Sequence, residues 1–97
     1  MSKVYEVRDC TSYEMYFTIA LFFDIQEAIE AVNNESVKDS AISEFTDQYE
    51  RIKIFEIVTG WEKYDPKEVY SIEREYLYDP ESDDLKWQTI SQEDEQV

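Results

Sequence analysis

Histidine is absent from this chain, cysteine and glycine occur once each, proline occurs twice, and only 9 basic side chains stand against 24 acidic ones in 97 residues. Each shortage excludes something. Without histidine and with Cys10 alone, zinc has no ligand set of the usual kind. Cys10 has no partner for an internal disulfide and no histidine to activate it as a nucleophile. It reads as a small buried or half-buried side chain, and nearby carboxylates are expected to raise its pKa. A single glycine, Gly60, leaves no glycine-rich loop around which a small domain could build a concave, desolvated pocket for a catalytic carboxylate. Carboxylate pairs at the spacing glycoside hydrolysis needs, about 5–10 Å, arise by chance in so acidic a chain and identify no reaction. No enzyme and no cofactor is expected. The apolar runs are short and broken by charge, which excludes a signal peptide or a membrane-spanning helix and points to a soluble cytoplasmic protein.

The formal charge of −15 narrows the partners further. Such a body repels nucleic acid and anionic lipid and attracts basic protein surfaces. Arg51, Lys53, Arg74 and Lys86 are too few and too mixed with acids to form the basic groove of a direct nucleic-acid binder. Disorder is also excluded, because 42% of the residues are hydrophobic and 15% aromatic, enough for a core. The length fits one domain, expected over 1–90, with 91–97 a disordered acidic tail that brings no core residue.

Periodicity supplies the elements. Lys3 to Arg8 reads as a strand with Val4 and Glu6 on one face and Tyr5 and Val7 on the other, followed by a turn. From Tyr13 to Phe23 the alternation is long, and Tyr13, Met15, Phe17, Ile19, Leu21 and Phe23 are expected to share the core face of a strand that, with Tyr16, Ala20 and Phe22 on its other face, is either central or covered on its second side by another element. Asp24 with Glu27 resembles a capping box, and Ile25, Ala28, Ile29 and Val32 recur at helical spacing, ending near Asn33 and Asn34. The stretch 35–48 reads either as a short second helix or as an irregular loop. Strands follow over Tyr49 to Thr59, over Lys67 to Tyr78 and over Leu85 to Ile90, the last two joined as a hairpin. On Lys67 to Tyr78, Val69, Ser71, Glu73, Glu75 and Leu77 face one way and Tyr70, Ile72, Arg74, Tyr76 and Tyr78 the other. The expected fold is α+β: a mostly antiparallel sheet of four to five strands in the order β-β-α-(α)-β-β-β, with one helix packed on one face.

The acidic turn Asp79, Glu81, Asp83, Asp84 does not fit a calcium loop and reads as a solvated hairpin loop. An EF-hand needs glycine at position 6 and glutamate at position 12, where this chain has Asp84 and Ile90. No metal is expected.

What remains is a binding surface. Acidic residues at i and i+2 on one strand face lie about 6.8 Å apart, a regular row of charge that can compete with phosphates for lysine and arginine. The residues assigned to this surface are Glu62, Asp65, Glu68, Glu73, Glu75, Asp79, Glu81, Asp83 and Asp84, with Tyr70 and Tyr76 among them. A second acidic cluster would combine Glu27, Glu30 and Glu35 with Asp39, Glu44, Asp47 and Glu50. Net charge of magnitude about 2–8 suffices to keep a small domain soluble, so this excess calls for another use.

In size and character, with carboxylates spread over strands and helix and with Trp61, Tyr70, Tyr76, Tyr78 and Trp87 near them, the chain resembles the small acidic inhibitors of phages and mobile elements, among them anti-CRISPR and anti-restriction proteins that mimic DNA. That resemblance implies stoichiometric inhibition of a nucleic-acid-binding complex, such as a CRISPR effector or restriction nuclease, by occupation of its basic DNA-binding surface in the host cell cytoplasm. The alternative is an assembly or homodimerising protein whose docking surface is formed by Tyr16, Phe22, Tyr70 and Tyr76, with acidity serving solubility.

Overall fold

Alternation with a period of two builds each strand, and the register between strands sorts the side chains into a helix-covered face and an open one. The computed structural model describes residues 2–12, 14–34, 49–60 and 65–94. In chain order the elements are β1 (Lys3–Asp9), β2 (Phe17–Phe22), α1 (Ile25–Asn33), β3 (Tyr49–Val58), β4 (Lys67–Asp79) and β5 (Asp84–Asp94). The strands form one five-stranded antiparallel sheet in the order β2-β1-β3-β4-β5, and α1 packs on it, giving the expected α+β fold. The stretch 35–48, read as a helix or a loop, lies outside the described residues.

α1 starts and stops as its sequence specifies. The Asp24 carboxylate accepts the Gln26 N–H at 3.1 Å, and Glu27 adds negative charge to the first turn. Ala28 and Val32 point into the sheet and are fully buried. They meet Tyr5 and Val7 of β1, Ile52 and Ile54 of β3, and Val69, Tyr70 and Ile72 of β4. Each such buried aliphatic side chain contributes about 1.5–3 kcal/mol.

An ion pair closes the end of this core. Arg74 Nε donates to Glu50 Oε1 at 2.6 Å, and Arg74 Nη1 donates to the Val32 carbonyl at 2.7 Å. The guanidinium thus occupies the C-terminal end of α1, where a cation complements the helix dipole and satisfies a carbonyl. Glu50, expected in the second acidic cluster, is 4% exposed and belongs to the interior.

β2 departs from the expectation. It is the outer strand beside β1, not a central one. Its pairing with β1 shifts between Val7↔Ala20 and Arg8↔Thr18, so that Ile19 is an extra residue. One inserted residue reverses the parity of everything beyond it. Phe22 and Ala20 therefore sit opposite Tyr5 and Val7 on the helix side, while Leu21 sits opposite Glu6 on the open side. Met15, Phe17, Leu21 and Phe23, expected in the core, are exposed at 58%, 43%, 62% and 83%. Tyr13 lies outside the described residues.

A shift of the same kind between Ile54 and Phe55 makes Val69 the extra residue of β4, so Val69 and Tyr70 are both buried although adjacent. At the other end of the sheet β5 runs on to Asp94, so Ser91–Asp94, expected in the tail, continue the strand opposite Tyr70 to Glu73.

Candidate interaction surface

β4 and β5 pair from Tyr70↔Asp94 to Asp79↔Asp84, whereas β4 and β3 part company at Glu75↔Tyr49. Among the described residues the hairpin beyond Glu75 is therefore a two-stranded arm, extending about 13 Å past the end of β3. On its shaft Tyr76 stands opposite Trp87 with ring centroids 5.6 Å apart and planes tilted by 39°, within the separation at which aromatic pairs attract. Leu77 and Tyr78 are exposed.

The tip is a turn over residues 80–83 stabilised by Asp79. Its carboxylate accepts the Glu81 N–H at 3.0 Å and the Ser82 hydroxyl at 3.2 Å, and lies 3.5 Å from Lys86 Nζ. The Glu81 N–H above all holds the Asp79 carboxyl below the usual carboxylate range; desolvation opposes it, and Ser82 and Lys86 add smaller contributions downward. Because the folded pKa lies below the unfolded one, this contribution is complete above the unfolded pKa and disappears as pH falls through the folded value. Amide exchange at Glu81 should accordingly quicken, beyond its intrinsic pH trend, only as the solution is acidified past the ordinary carboxylate range. A turn unaffected by that acidification would show that Asp79 does not hold it.

Asp83 adopts φ 54°, a left-handed conformation that aspartate tolerates better than most residues. It accepts the Tyr78 hydroxyl, and this bond is the main cause raising the Tyr78 pKa. Glu81, Asp83 and Asp84 are all exposed at the tip.

The other expected residues divide into groups. Glu73 and Glu75 share the open face as anticipated, half-buried, opposite Arg51 and Tyr49. Glu68 is paired with Lys53, Nζ to Oε1 2.6 Å, so it presents no net charge. Asp65 is exposed just before β4, and Glu62 lies outside the described residues. Tyr76 is half-buried on the arm. Tyr70 departs from the expectation: it is 1% exposed, packed in the core, with its hydroxyl accepting from Asn33 Nδ2 at 3.1 Å and from Gln92 Nε2. It offers nothing to a partner. The patch expected from Tyr16, Phe22, Tyr70 and Tyr76 does not form, because Phe22 also packs against the core and Tyr76 is on the arm. Of the second cluster, Glu27 and Glu30 are exposed on α1, and Glu35, Asp39, Glu44 and Asp47 lie outside the described residues.

The open face holds a constellation that the one-dimensional pattern does not display. Arg8 Cζ lies 4.2 Å from the centroid of Tyr16 and 4.2 Å from that of Phe55, between the rings. Its Nη2 pairs with Glu6 Oε1 at 2.6 Å, and Thr18 donates its hydroxyl to the other Glu6 oxygen. Beside it, Cys10, Ser12, Glu14, Met15, Tyr16, Arg51 and Lys53 line an open cleft of about 240 Å³. Burial pushes the Cys10 thiol up, and the cations Lys53, Arg51 and Arg8 partly offset this, with Asp9 a smaller contribution upward. The charged neighbours of Cys10 are thus mostly cationic, contrary to the expectation of carboxylates. The thiol stays protonated at neutral pH, which suits a structural role.

Among the described residues no helix is long and apolar enough to cross a membrane. Comparison with protein-family models, with curated proteins and with solved structures finds no match to this chain.

Proposed function

We propose that the protein is a non-enzymatic inhibitor that lodges its acidic β4–β5 arm in the basic groove of a nucleic-acid-binding protein complex, a CRISPR effector or restriction nuclease being the type, and so keeps nucleic acid out. The observation that carries this reading is the arm itself: a hairpin extending past β3 whose tip exposes Glu81, Asp83 and Asp84 while Lys86 is occupied by Asp79. Carboxylates ordered on a paired hairpin compete with phosphate for the same lysines and arginines. Exposed Tyr78 and half-buried Tyr76 and Trp87 add amphipathic contact area of the kind enriched at interfaces. The open-face row Glu73 and Glu75 is a secondary contributor, because Arg51 and the Lys53–Glu68 pair lie beside it.

The test uses a purified basic nucleic-acid enzyme that captures the protein. Affinity should fall by about tenfold or more between about 50 mM and about 200 mM salt, and excess duplex DNA should displace the bound protein. A complex indifferent to both salt and DNA would instead favour the assembly reading, in which acidity serves solubility and the exposed apolar residues of β2 make the contact.

A further inference from the structure

β2 lies at the edge of the sheet opposite β5, and among the described residues it pairs only with β1. Its outer row of backbone N–H and C=O groups is a template for another strand. Natural edges are blunted by lysine, proline, bulges or a covering element. Here the strand reads Phe-Thr-Ile-Ala-Leu-Phe, with no ionisable side chain and no proline, and Phe23 follows it. Leu21 is 62% and Phe23 83% exposed, the least covered of the large apolar side chains among the described residues. Among the described residues the bulge at Ile19 is the one device of the usual set on this strand.

The flanks indicate the occupant. Glu14 and Asp24, both exposed, bracket the apolar stretch. Two copies that each carry −15 repel one another, and the exposed carboxylates at the two ends of the stretch add to that repulsion. A second copy is therefore opposed by the same charge that would favour a foreign strand with cations. We propose that β2 is a docking edge for an extended segment of a protein partner, with alternating apolar residues bracketed by lysine or arginine, which adds to the sheet as a further strand. Main-chain hydrogen bonds would supply affinity, and Leu21, Phe23 and the two carboxylates would supply selectivity. This surface is independent of the arm, which projects from the far side of the sheet.

The experiment titrates the full chain with two synthetic peptides that share one alternating valine–threonine centre, one ending in lysine pairs and the other in glutamate pairs. Peptide anisotropy and amide exchange of the protein are followed together, and sedimentation fixes the oligomeric state. The lysine-flanked peptide should bind at least about tenfold more tightly than the glutamate-flanked one, a difference of about 1.4 kcal/mol. It should slow amide exchange in Phe17–Phe22, and Leu21→Glu with Phe23→Glu should abolish binding while leaving the circular dichroism spectrum unchanged. Neutralising Glu81, Asp83 and Asp84 should leave peptide binding intact. The proposal is overturned if neither peptide binds, if both bind equally, if the arm variant loses binding, or if the free protein sediments as a dimer with the β2 amides already protected.

Discussion

Arg74→Met should lower the melting temperature by roughly 12 °C or more, or leave no cooperative transition at all. The substitution strands the Glu50 carboxylate, whose side chain is 5% exposed, and removes the donor to the Val32 carbonyl at the end of α1. Breaking a buried pair by deleting one partner costs about 3–5 kcal/mol, a large share of the roughly 5–15 kcal/mol that stabilises a domain of this size. The partner variant sharpens the test. Arg74→Met combined with Glu50→Leu should recover most of the loss, since an apolar pair of similar volume is often neutral or better than a buried ion pair. Arg74 Nη2, buried without a hydrogen-bond partner, adds to the native cost that the double variant removes. Thermal denaturation followed by circular dichroism decides it. A single variant melting within about 3 °C of the native protein would show that this pair is not held in the interior.

The second large effect concerns binding. Glu81→Gln, Asp83→Asn and Asp84→Asn together should weaken capture by a basic nucleic-acid enzyme about a hundredfold, at about 1 kcal/mol for each charge removed, and should flatten the salt dependence. Asparagine at 83 keeps tolerance for the left-handed backbone and an acceptor for Tyr78, so the turn survives. Glu73→Gln with Glu75→Gln should cost less, because Glu73 stands opposite Arg51. Isothermal titration of both sets against one enzyme separates them. Equal losses would move the interface from the arm to the open face.

Much of the architecture was legible because it depends on local pattern. The helical spacing of Ile25, Ala28, Ile29 and Val32 and the cap at Asp24 place α1 correctly, and the alternation over 49–59 and 67–78 places β3 and β4 to within a residue. What failed depends on register between distant strands. Nothing local marks Ile19 as an extra residue, yet that insertion turns Leu21 outward and Ala20 inward. Tyr70 shares a strand face with Arg74 and Tyr76 as the pattern indicates, but it is the packing of α1 above Tyr70 that makes this tyrosine core. Arg8 between Tyr16 and Phe55 is likewise a meeting of three separate segments. At the candidate surface, the pattern groups the tip carboxylates Glu81, Asp83 and Asp84 together. It does not show the cations at Lys53 and Arg51 beside the Glu68–Glu75 row, because pairing partners across strands are invisible to a pattern of period two.

The position of β1 between β2 and β3 has a consequence for biogenesis. Its pairing with β2 joins neighbours in the chain, but its other edge is completed only by β3, with Lys3 opposite Val58. During synthesis the first hairpin must therefore wait, one edge of β1 unpaired, until Val58 has left the ribosome. Folding governed by such distant contacts is intrinsically slow and leaves sticky edges exposed meanwhile. Mutual repulsion among nascent or newly released copies then guards an interval that the topology makes unavoidable.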